Sequence, residues 1–486
     1  MATRYLACDL GAESGRVILG TLESRKLTLE EIHRFRNDPI RTNDGSLHWN
    51  IPELLTELKD GLRKAAACRV PISSLSCDSW GVDYLLLNKE GALLPPAFHY
   101  RDSRAARGVE NVYAKIDWPT IFAETGIQFM PFNTLFQLAA EAPERLAMAH
   151  RMLLVGDAFN FFLSGVDCTE ETLASTSQLY NPETRNWSER LREALQFPDH
   201  LFTRIVPAGT LLGPLRRELE VETGLKGVQV VASCSHDTAA AVAAVPALSG
   251  HWAYLSSGTW SLIGIELPVP HITETCRQLN FTNEIGFGGS VRVLKNIVGL
   301  WIIQECRRYW ARIGQEFEYG ALTALAAAAP SFQAFINPTD PQFLAPDDMP
   351  IKVQAFCRQT NQPVPEGPGP ICRCVFESLA LLYRRTLKQI EQLTGSRIER
   401  LHIVGGGSKN TLLNEFTANA LQIPVLTGPS EATAVGNLLV QAISLGHLPS
   451  LRDARNVVRE SIEIGTVQPQ RAGEWKTAYQ QFEQWF

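Results

Sequence analysis

Short apolar runs of strand length alternate with segments of helical periodicity along the chain, a pattern typical of α/β proteins. Apolar stretches at Tyr5–Cys8 and Arg16–Gly20 flank the turn LGAESG, so the chain is expected to open with a β-hairpin. Ile51–Cys68 repeats its apolar residues at helical spacing and has a proline in its first turn, which predicts an amphipathic helix. Strands are predicted next around Leu75–Cys77 and Val82–Leu87.

The second half of the chain continues the same alternation. Residues 251–266, HWAYLSSGTWSLIGIE, predict a strand, a turn of hydroxyl and glycine residues, and a strand. Leu401–Val404 predicts a short strand that runs into the triple glycine Gly405–Gly407. Helices are predicted at Thr411–Leu421 and Ser430–Ser444.

Two features of the second half predict packing rather than chemistry. The last segment carries an aromatic stripe that is expected to dock on the rest of the fold, formed by Trp475, Tyr479, Phe482 and Phe486. The Pro-rich stretches Asn337–Pro350 and Gln362–Pro370 are expected to be surface loops.

The chain of 486 residues is too long for one core, so at least two domains are expected. The segment PALSGH at Pro246–His251 interrupts the pattern, and strand–turn–strand patterns open both parts of the chain. A duplicated domain is therefore predicted, with domains at residues 1–246 and 251–486.

Composition excludes several classes of protein. Hydrophobic content of 45%, charged content of 20% and a net charge of −6 are ordinary for a globular protein and argue against a nucleic-acid surface. The ten cysteines form no CxxC pair, so reduced thiols are expected; Cys357 and Cys374 bracket a Pro/Gly-rich loop and could be neighbours, with a free pair favoured over a disulfide. With no apolar window of 18 residues and no signal peptide, a cytoplasmic protein without a membrane partner is predicted.

Residues 228–246, VQVVASCSHDTAAAVAAVP, place a carboxylate between a strand and a helix. The apolar run breaks at Ser233–Asp237, and an Ala-rich helical segment follows. Ligands of open α/β sheets gather at the carboxyl ends of strands, and the positive end of a helix favours an ionised Asp. Asp237 facing a substrate hydroxyl would be a general base. Taken alone the position fits a helix cap better; the features below favour the base.

Residues 9–16, DLGAESGR, form a turn suited to phosphate. Gly11 and Gly15 would let the backbone approach an anion closely. Arg16 can neutralise charge, whereas Asp9 would repel a bare phosphate and fits only as a partner of Mg²⁺, directly or through water. A simple tight turn is the alternative.

Two more turns contain the same residue types. They are Ser256–Thr259, and Gly405–Gly407 followed by Ser408 and Asn410 at a strand-to-helix junction. Three such turns spread over both halves suggest two domains that grip a nucleotide from opposite sides. Other nucleotide and hydrolase motifs are absent: the P-loop, the protein-kinase set, the dinucleotide fingerprint, zinc patterns and the G-x-S-x-G elbow.

From Tyr5 to about Leu445 the chain resembles the FGGY family of carbohydrate kinases. The resemblance is carried by DSWGVDYLLL (Asp78–Leu87), YRDSR (Tyr100–Arg104), GIQFMPFNTLFQL (Gly126–Leu138), SHDTAAAV (Ser235–Val242), YLSSGTWSL (Tyr254–Leu262), LKNIVGLWIIQ (Leu294–Gln304) and LHIVGGG (Leu401–Gly407). It implies an α/β fold of two ribonuclease-H-like domains, of the actin and hexokinase type, with a cleft between them.

The resemblance also implies roles for particular residues. Asp237 would be the catalytic base and Asp9 the acidic residue beside metal and phosphate. The nucleotide would be bound by Ala12, Glu13, Ser14, Gly15, Arg16, Thr259, Gln304, Gly405 and Gly406. The sugar would be bound by Gly81, Arg101, Asp102, His236, Thr238 and Asn296. The cofactors implied are ATP and Mg²⁺, and the partner is a small ketose, bound by a monomer or homodimer.

Two positions depart from the family pattern. Glu13 stands inside the phosphate turn, where small or hydroxyl residues are common, so it must point away from ATP or assist metal hydration. Cys234 stands before SHDT where a small residue such as Ala is expected. Trp80 and Phe132 fit equally well as walls of the sugar pocket and as core residues.

The predicted reaction is ATP-dependent phosphorylation of the primary hydroxyl of a ketose, with Asp237 taking the hydroxyl proton during in-line attack. L-rhamnulose is the first candidate, and L-fuculose or L-xylulose are alternatives. An actin-like ATPase that transfers no phosphate to sugar is the alternative from a different class. A sugar-binding regulator without catalysis is disfavoured because Asp9, Asp237 and the turns are all present.

Overall fold

The structure is a computed structural model that describes residues 2–248 and 250–486. Its strands are β1 (Thr3–Leu10), β2 (Ser14–Glu23), β3 (Lys26–Arg36), β4 (Ile40–Arg41), β5 (Leu47–His48), β6 (Ser74–Ser79), β7 (Tyr84–Leu87), β8 (Arg151–Leu154), β9 (Thr169–Glu170), β10 (Tyr180–Asn181), β11 (Asn186–Trp187), β12 (Ile205–Val206), β13 (Thr210–Pro214), β14 (Gln229–Ala232), β15 (Trp252–Ser257), β16 (Trp260–Leu267), β17 (Thr282–Ile285), β18 (Val291–Val298), β19 (Arg400–Val404), β20 (Val425–Thr427) and β21 (Gly465–Val467).

Helices connect most of these strands. They are α1 (Ile51–Ala67), α2 (Ala105–Tyr113), α3 (Trp118–Thr125), α4 (Thr134–Ala139), α5 (Pro143–Met148), α6 (Val155–Ser164), α7 (Glu171–Ala174), α8 (Glu189–Leu195), α9 (Arg217–Thr223), α10 (Asp237–Ala243), α11 (Glu274–Gln278), α12 (Trp301–Arg312), α13 (Tyr319–Ala328), α14 (Met349–Gln359), α15 (Pro368–Thr394), α16 (Thr411–Leu421), α17 (Ala432–Ser444), α18 (Leu451–Ser461) and α19 (Ala472–Phe482).

The residues fall into two compact units that are each discontinuous in sequence. The first contains Met1–Leu248, Glu266–Val293 and Ala432–Ile462, and the second contains Ser249–Ile265, Leu294–Glu431 and Glu463–Phe486. The division of the sequence into domains at 1–246 and 251–486 stays a prediction. Met1, at the start of the first predicted domain, and Ser249, in the predicted boundary, lie outside the described residues.

The first unit is built on a six-stranded sheet with the order β13-β14-β6-β1-β2-β3. Strands β14, β6 and β1 run parallel, whereas β2 and β3 continue from β1 as antiparallel neighbours. The carboxyl ends of three parallel strands therefore lie side by side at one edge, where ligands of α/β sheets bind.

Both faces of this sheet are covered, and every residue of the central strand β6 is buried. Leu6 and Leu10 of β1 share one core with Leu58 and Leu62 of α1. Helix α17 packs against β1 as well, and its buried Gln441 donates a hydrogen bond to the Leu6 carbonyl at 2.9 Å. Polar side chains of α17 thus reach the strand that carries Asp9.

The second unit contains a sheet with the neighbour order β16-β15-β19-β20-β21. Strands β15 and β16 form an antiparallel hairpin, and β15, β19 and β20 run parallel. The terminal aromatic stripe docks as predicted at Trp475, Tyr479 and Phe482, which are buried, whereas Phe486 is 44% exposed. That stripe is a packing face on α19, and Trp475 contacts Phe416 of α16 with ring centroids 5.4 Å apart.

Most predicted elements are confirmed, including both hairpins and the helix Thr411–Leu421. Two predictions are wrong in part. The strand predicted from Val82 begins at Tyr84, because Val82 has a φ of 67° in a turn closed by the Asp83 N–H to the Gly81 carbonyl at 2.9 Å.

The two Pro-rich stretches are not simply surface loops. Phe343 is fully buried within the first, and α14 begins at Met349 before that stretch ends. The second stretch ends inside α15, which starts at Pro368 because proline is well tolerated in a first helical turn.

The ten cysteines are all free, as expected, and Cys357 and Cys374 are neighbours whose thiols share a hydrogen bond. Cys234 is fully buried among Ala239, Ala240 and Val440, so its departure from a small residue is absorbed by packing. In the described part of the chain, none of the helices has the length and apolar character needed to cross a bilayer.

Candidate active site

Three carboxylates gather at the carboxyl edge of the sheet in the first unit. Asp9 lies at the end of β1 and is opposite Asp78 of β6 in the parallel register. The end of β6 is joined to the segment after β14, because Ser79 donates its N–H to the Ser235 carbonyl at 2.9 Å. Asp237 is the first residue of α10, which starts two residues later.

Asp237 is in contact with its neighbours through one carboxylate oxygen. Oδ1 accepts a hydrogen bond from the Thr238 hydroxyl at 3.1 Å and lies 3.4 Å from His236 Nε2. The side chain is 30% exposed. The carboxylate can therefore accept a proton from a bound molecule.

Burial and the nearby Asp9 carboxylate raise the pKa of Asp237 to about 7, against the weaker effects of Thr238 and Arg292. The expectation that the helix end would favour the ionised form is thus outweighed by desolvation and like charge. The capping interpretation is not supported either, because His236 occupies the N-cap and no side chain caps α10.

His236 is buried and is held by two residues that the sequence analysis missed. Its Nδ1 lies 3.1 Å from Arg292 Nη2 of β18, and the same Arg292 nitrogen donates to Glu284 of β17 at 3.1 Å. Burial, with help from Arg292, lowers the pKa of His236 well below its usual range, so the ring is neutral. No pattern in the sequence links these three positions.

The loop before Asp237 rests on a second buried carboxylate. Glu170 accepts hydrogen bonds from the Ser235 N–H and the Thr172 N–H, each at 2.9 Å, and from the Thr172 hydroxyl at 2.5 Å. The Thr172 hydroxyl in turn accepts the His236 N–H at 3.3 Å. Glu170 therefore fixes the backbone that presents His236 and Asp237, and sequence reasoning missed it.

The turn at residues 9–16 lies in a β-hairpin, as predicted, but contacts within the protein explain some of its residues. The Gly11 N–H donates to the Ser14 carbonyl at 3.0 Å, and Asn37 holds the turn through the Gly11 and Glu13 carbonyls. A Cβ on Gly15 would lie 2.2 Å from the Phe35 ring, so this glycine is required by packing rather than by an anion.

Of the remaining residues in this turn, Glu13 is exposed, and Ala12 and Ser14 are half-buried. Arg16 lies opposite Asp9 in the hairpin register and forms an ion pair with it. Arg16 and Asp9 therefore form an ion pair where the two strands enter and leave the turn.

Asp78 is a buried carboxyl on β6, next to Asp9 on the neighbouring strand, and the sequence analysis assigned it no role. Its Oδ2 accepts a hydrogen bond from Asn437 at 2.5 Å, and burial together with Asp9 and Asp237 raises its pKa well above the usual range. The three acids repel one another, and a divalent cation at Asp9 would relieve that repulsion.

Mg²⁺ fits this site by the chemistry of its donors. It is usually held by one or two carboxylates, with phosphate oxygens and water completing its shell. Within residues 2–248 and 250–486, no three His, Cys, Asp or Glu side chains are grouped as a protein-only metal site would require. Asp9, near the end of β1, can supply one carboxylate of this kind.

Residues predicted to bind sugar flank an aromatic cluster of the first unit. The rings of Trp49 and Trp80 are in tilted contact with centroids 4.3 Å apart, and both indole N–H groups donate to Asp83 Oδ2. Gly81 immediately follows Trp80, and the Arg101 guanidinium lies over the Tyr100 ring. Trp80 is thus a core residue beside the predicted pocket.

Asp83, which sequence reasoning missed, is the residue that organises this cluster. Its carboxylate accepts four hydrogen bonds, including the Tyr100 N–H at 3.2 Å, and burial raises its pKa to about 6. Asp102 is occupied similarly, by the N–H groups of Leu47 and Arg104. Phe132 is half-buried against the core and 5.4 Å from Tyr100.

In the second unit the turn at Ser256–Thr259 meets the start of α12. The Thr259 carbonyl accepts the N–H groups of Gly299 and Trp301, each at 3.1 Å, and Gln304 Nε2 donates to the Thr259 hydroxyl at 3.2 Å. Gln304 Oε1 is buried and has no hydrogen-bond partner in the described chain. An unsatisfied buried acceptor is costly, so this oxygen is suited to a ligand hydroxyl or amine.

The triple glycine packs on the same turn. A Cβ on Gly405 would lie 3.0 Å from the Ser257 carbonyl oxygen, and one on Gly407 would lie 2.0 Å from Ser257 Oγ. A Cβ on Gly406 would meet nothing within 4 Å. Of the three glycines, only Gly406 faces open space.

Ser408 and Asn410, which follow the triple glycine, stabilise the local backbone. The Ser408 hydroxyl donates to the Gly405 carbonyl at 2.7 Å, and the Asn410 side chain caps α16. Asn296 is half-buried on β18 and belongs to the second unit, with Thr259 and Gln304.

Comparison with known proteins supplies the family. The model of the N-terminal domain of the FGGY family of carbohydrate kinases matches residues 4–244, and the C-terminal domain model matches residues 253–445. The chain belongs to the FGGY family of carbohydrate kinases. It is a sugar phosphotransferase with the α/β, two-domain FGGY kinase fold, as the sequence predicts.

Relatives and solved structures agree with this assignment. The chain is 43% identical to a rhamnulokinase of Bacteroides thetaiotaomicron, over 99% of each chain, and 42% identical to one of Enterococcus faecalis, over 94% and 92%. A ligand-bound xylulose kinase of Lactobacillus acidophilus superposes with a TM-score of 0.81 at 14% identity, covering 99% of this chain and 97% of that one. Plasmodium falciparum glycerol kinase with ADP gives 0.79 at 14% identity, covering 99% and 98%.

Proposed function

We propose that this FGGY kinase transfers the γ-phosphoryl group of ATP to the primary hydroxyl of a ketose, and that L-rhamnulose is its substrate. Relatives named rhamnulokinase, 36–43% identical over 94% or more of this chain, support the choice of sugar. The products are ADP and the sugar 1-phosphate.

One observation carries the chemical part of the proposal. Asp237 presents a carboxyl whose side chain is 30% exposed and whose pKa is raised to about 7. A base with a pKa near the working pH combines a useful ionised fraction with real proton affinity. An ordinary surface aspartate would be ionised but too weak a base.

In the mechanism, Asp237 Oδ2 accepts the proton of the sugar hydroxyl as its oxygen attacks the γ-phosphorus and the bond to the ADP oxygen breaks. The Ala12–Arg16 turn and Thr259 would bind phosphate oxygens, with Arg16 released from its pairing with Asp9. Gln304, Gly405 and Gly406 would bind the adenosine. Asp9 would hold Mg²⁺, directly or through water, and the ion would supply positive charge to the phosphates.

Gly81, Arg101, His236, Thr238 and Asn296 would orient the sugar. Asp102 also belongs to this proposal, although its carboxylate already holds two backbone N–H groups. The ten free cysteines support a reducing compartment such as the cytoplasm. Whether the enzyme is a monomer or a homodimer stays a prediction.

The test is a coupled ADP-release assay with Mg²⁺-ATP and a panel of L-rhamnulose, L-fuculose and L-xylulose, with a control that lacks sugar. We expect kcat/KM to be highest for L-rhamnulose. A pentulose without its terminal methyl should lose about 10–200-fold, the range for one apolar group in a pocket. ADP release that does not depend on ketose would instead indicate an ATPase, and a higher kcat/KM for another sugar would replace the substrate.

A further inference from the structure

Arg292 is a fully buried cation to which neither the sequence nor the proposed reaction gives a role. Its side chain is 0% exposed, on β18 of the first unit. Nη2 contacts both His236 Nδ1 and Glu284 Oε2 at 3.1 Å, and Nε donates to the Ile285 carbonyl at 3.2 Å. A buried Arg–Glu pair is weak evidence of stabilisation, because desolvation offsets most of its attraction.

The contact with His236 determines where the imidazole proton resides. A guanidinium has only N–H donors and no lone pair to accept with. His236 Nδ1 must therefore be the acceptor, and in a neutral ring the single proton is then on Nε2. Nε2 lies 3.4 Å from Asp237 Oδ1, so its N–H group is beside the carboxylate.

We propose that Arg292 is a positioning residue for phosphoryl transfer, which fixes His236 as the neutral Nε2–H tautomer so that the ring presents a donor beside Asp237. This inference rests on the proposed role of Asp237 as base. Oδ1 accepts the Thr238 hydroxyl and lies 3.4 Å from His236 Nε2, and in the proposed reaction the other oxygen, Oδ2, takes the substrate proton.

The charges around His236 agree with this assignment. Arg292 from β18 opposes protonation of the ring, and Glu284 from β17 lies 3.5 Å from Nδ1 with Arg292 bonded to both. Asp237 lies at the other nitrogen, with Asp9 of β1 and Asp78 of β6 beyond it. Without Arg292 the carboxylates would favour an imidazolium, which could not serve as a fixed neutral donor.

The experiment uses the double variant Arg292→Met/Glu284→Gln, which removes the donor without leaving a lone buried charge. The matched control is Arg455→Met/Glu266→Gln. Arg455 and Glu266 form another largely buried pair, 2.6 Å apart in the same unit, and Arg455 bonds the Val242 carbonyl at the far end of α10. The control thus perturbs the same helix without touching His236.

The primary readout is the ¹⁵N NMR spectrum of His236 in the ligand-free enzyme from pH 6 to 8, assigned with His236→Gln. The wild type and the control should show a neutral ring protonated on Nε2 across this range. The Arg292→Met/Glu284→Gln variant should show a mixture of tautomers or protonation within it. Its kcat should fall on the order of tenfold to a hundredfold, by analogy with residues that orient metal-bound histidines, with a smaller change in ketose KM.

A wild-type ring protonated on Nδ1, or an imidazolium at pH 7, would overturn the inference, and that measurement needs no variant to fold. A double variant that keeps the wild-type His236 spectrum would overturn it as well. The spectrum is independent of turnover, so its outcome is separate from that of the base assignment, which is tested at Asp237 itself.

Discussion

The pKa of Asp237 sets the pH range in which this kinase should work. The proposed base must be ionised to accept the hydroxyl proton, so activity should fall as pH drops through its pKa. With a pKa of about 7, about nine-tenths of Asp237 is ionised at pH 8 and about one-tenth at pH 6. We therefore expect kcat/KM for the ketose to be level above pH 8 and to fall about tenfold per unit well below pH 7.

Two substitutions should move this acid limb in opposite directions. Thr238→Val keeps the side-chain shape but removes the hydroxyl that donates to Asp237 Oδ1, so the ionised form loses a hydrogen bond and the limb should move to higher pH. Asp9→Asn removes the carboxylate whose repulsion raises the pKa, so the limb should move to lower pH.

The assay is coupled ADP release at saturating Mg²⁺-ATP, from pH 5.5 to 9, with coupling enzymes in excess at each pH. Because kcat/KM for the ketose reports groups of the enzyme form that the ketose binds, here the enzyme with Mg²⁺-ATP, ketose is varied at every pH. A wild-type limb near pH 4, the usual range of an aspartate, would refute the reasoning. Shifts of Thr238→Val and Asp9→Asn in the same direction would also refute it.

Gly406→Ala should leave the thermal unfolding midpoint unchanged and raise the KM for ATP about tenfold, because the added methyl group would enter the open space proposed for adenosine. Gly407→Ala should instead lower the midpoint, since its Cβ would lie 2.0 Å from Ser257 Oγ. Gln304→Leu should weaken ADP binding in calorimetry by about 1–3 kcal/mol, and unchanged affinity would remove Gln304 from the nucleotide site. Glu170→Gln should lower both kcat and the unfolding midpoint, because the amide lacks one of the two acceptor oxygens that bind the loop at Ser235. A variant with normal kcat would show that the loop keeps its conformation without the Glu170 carboxylate.

The parts of the fold set by local pattern were predictable from sequence. Helix α16 was predicted at its observed bounds, because apolar residues recur at helical spacing after a strand and a polar cap. Val82 defeated the strand prediction, since a β-branched residue with positive φ contradicts its own propensity and is held by tertiary contacts. Phe343 was predicted at the surface because nothing local shows that a Pro-rich segment is covered.

The site was predictable where its residues are close in sequence. SHDT marks Asp237 because a strand, a break and a helix lie within a few residues of one another. Thr259 and Gln304 were expected at the nucleotide only through the family resemblance. Arg292, Glu170 and Asp83 each make at least one hydrogen bond to a residue 17 to 65 positions away in sequence, which no single-chain pattern encodes. The sequence shows that these residues are charged, but it shows neither their burial nor their partners.

The most direct test of the account is Asp237→Asn, which keeps the shape of the side chain and removes only its capacity to accept the proton. Binding of ketose and of ADP, measured by calorimetry, should remain within a few-fold of wild type. The account predicts that turnover at pH 8 falls by about 10²–10⁴-fold, the contribution of a positioned base. A variant that keeps more than about a tenth of the wild-type rate would contradict it.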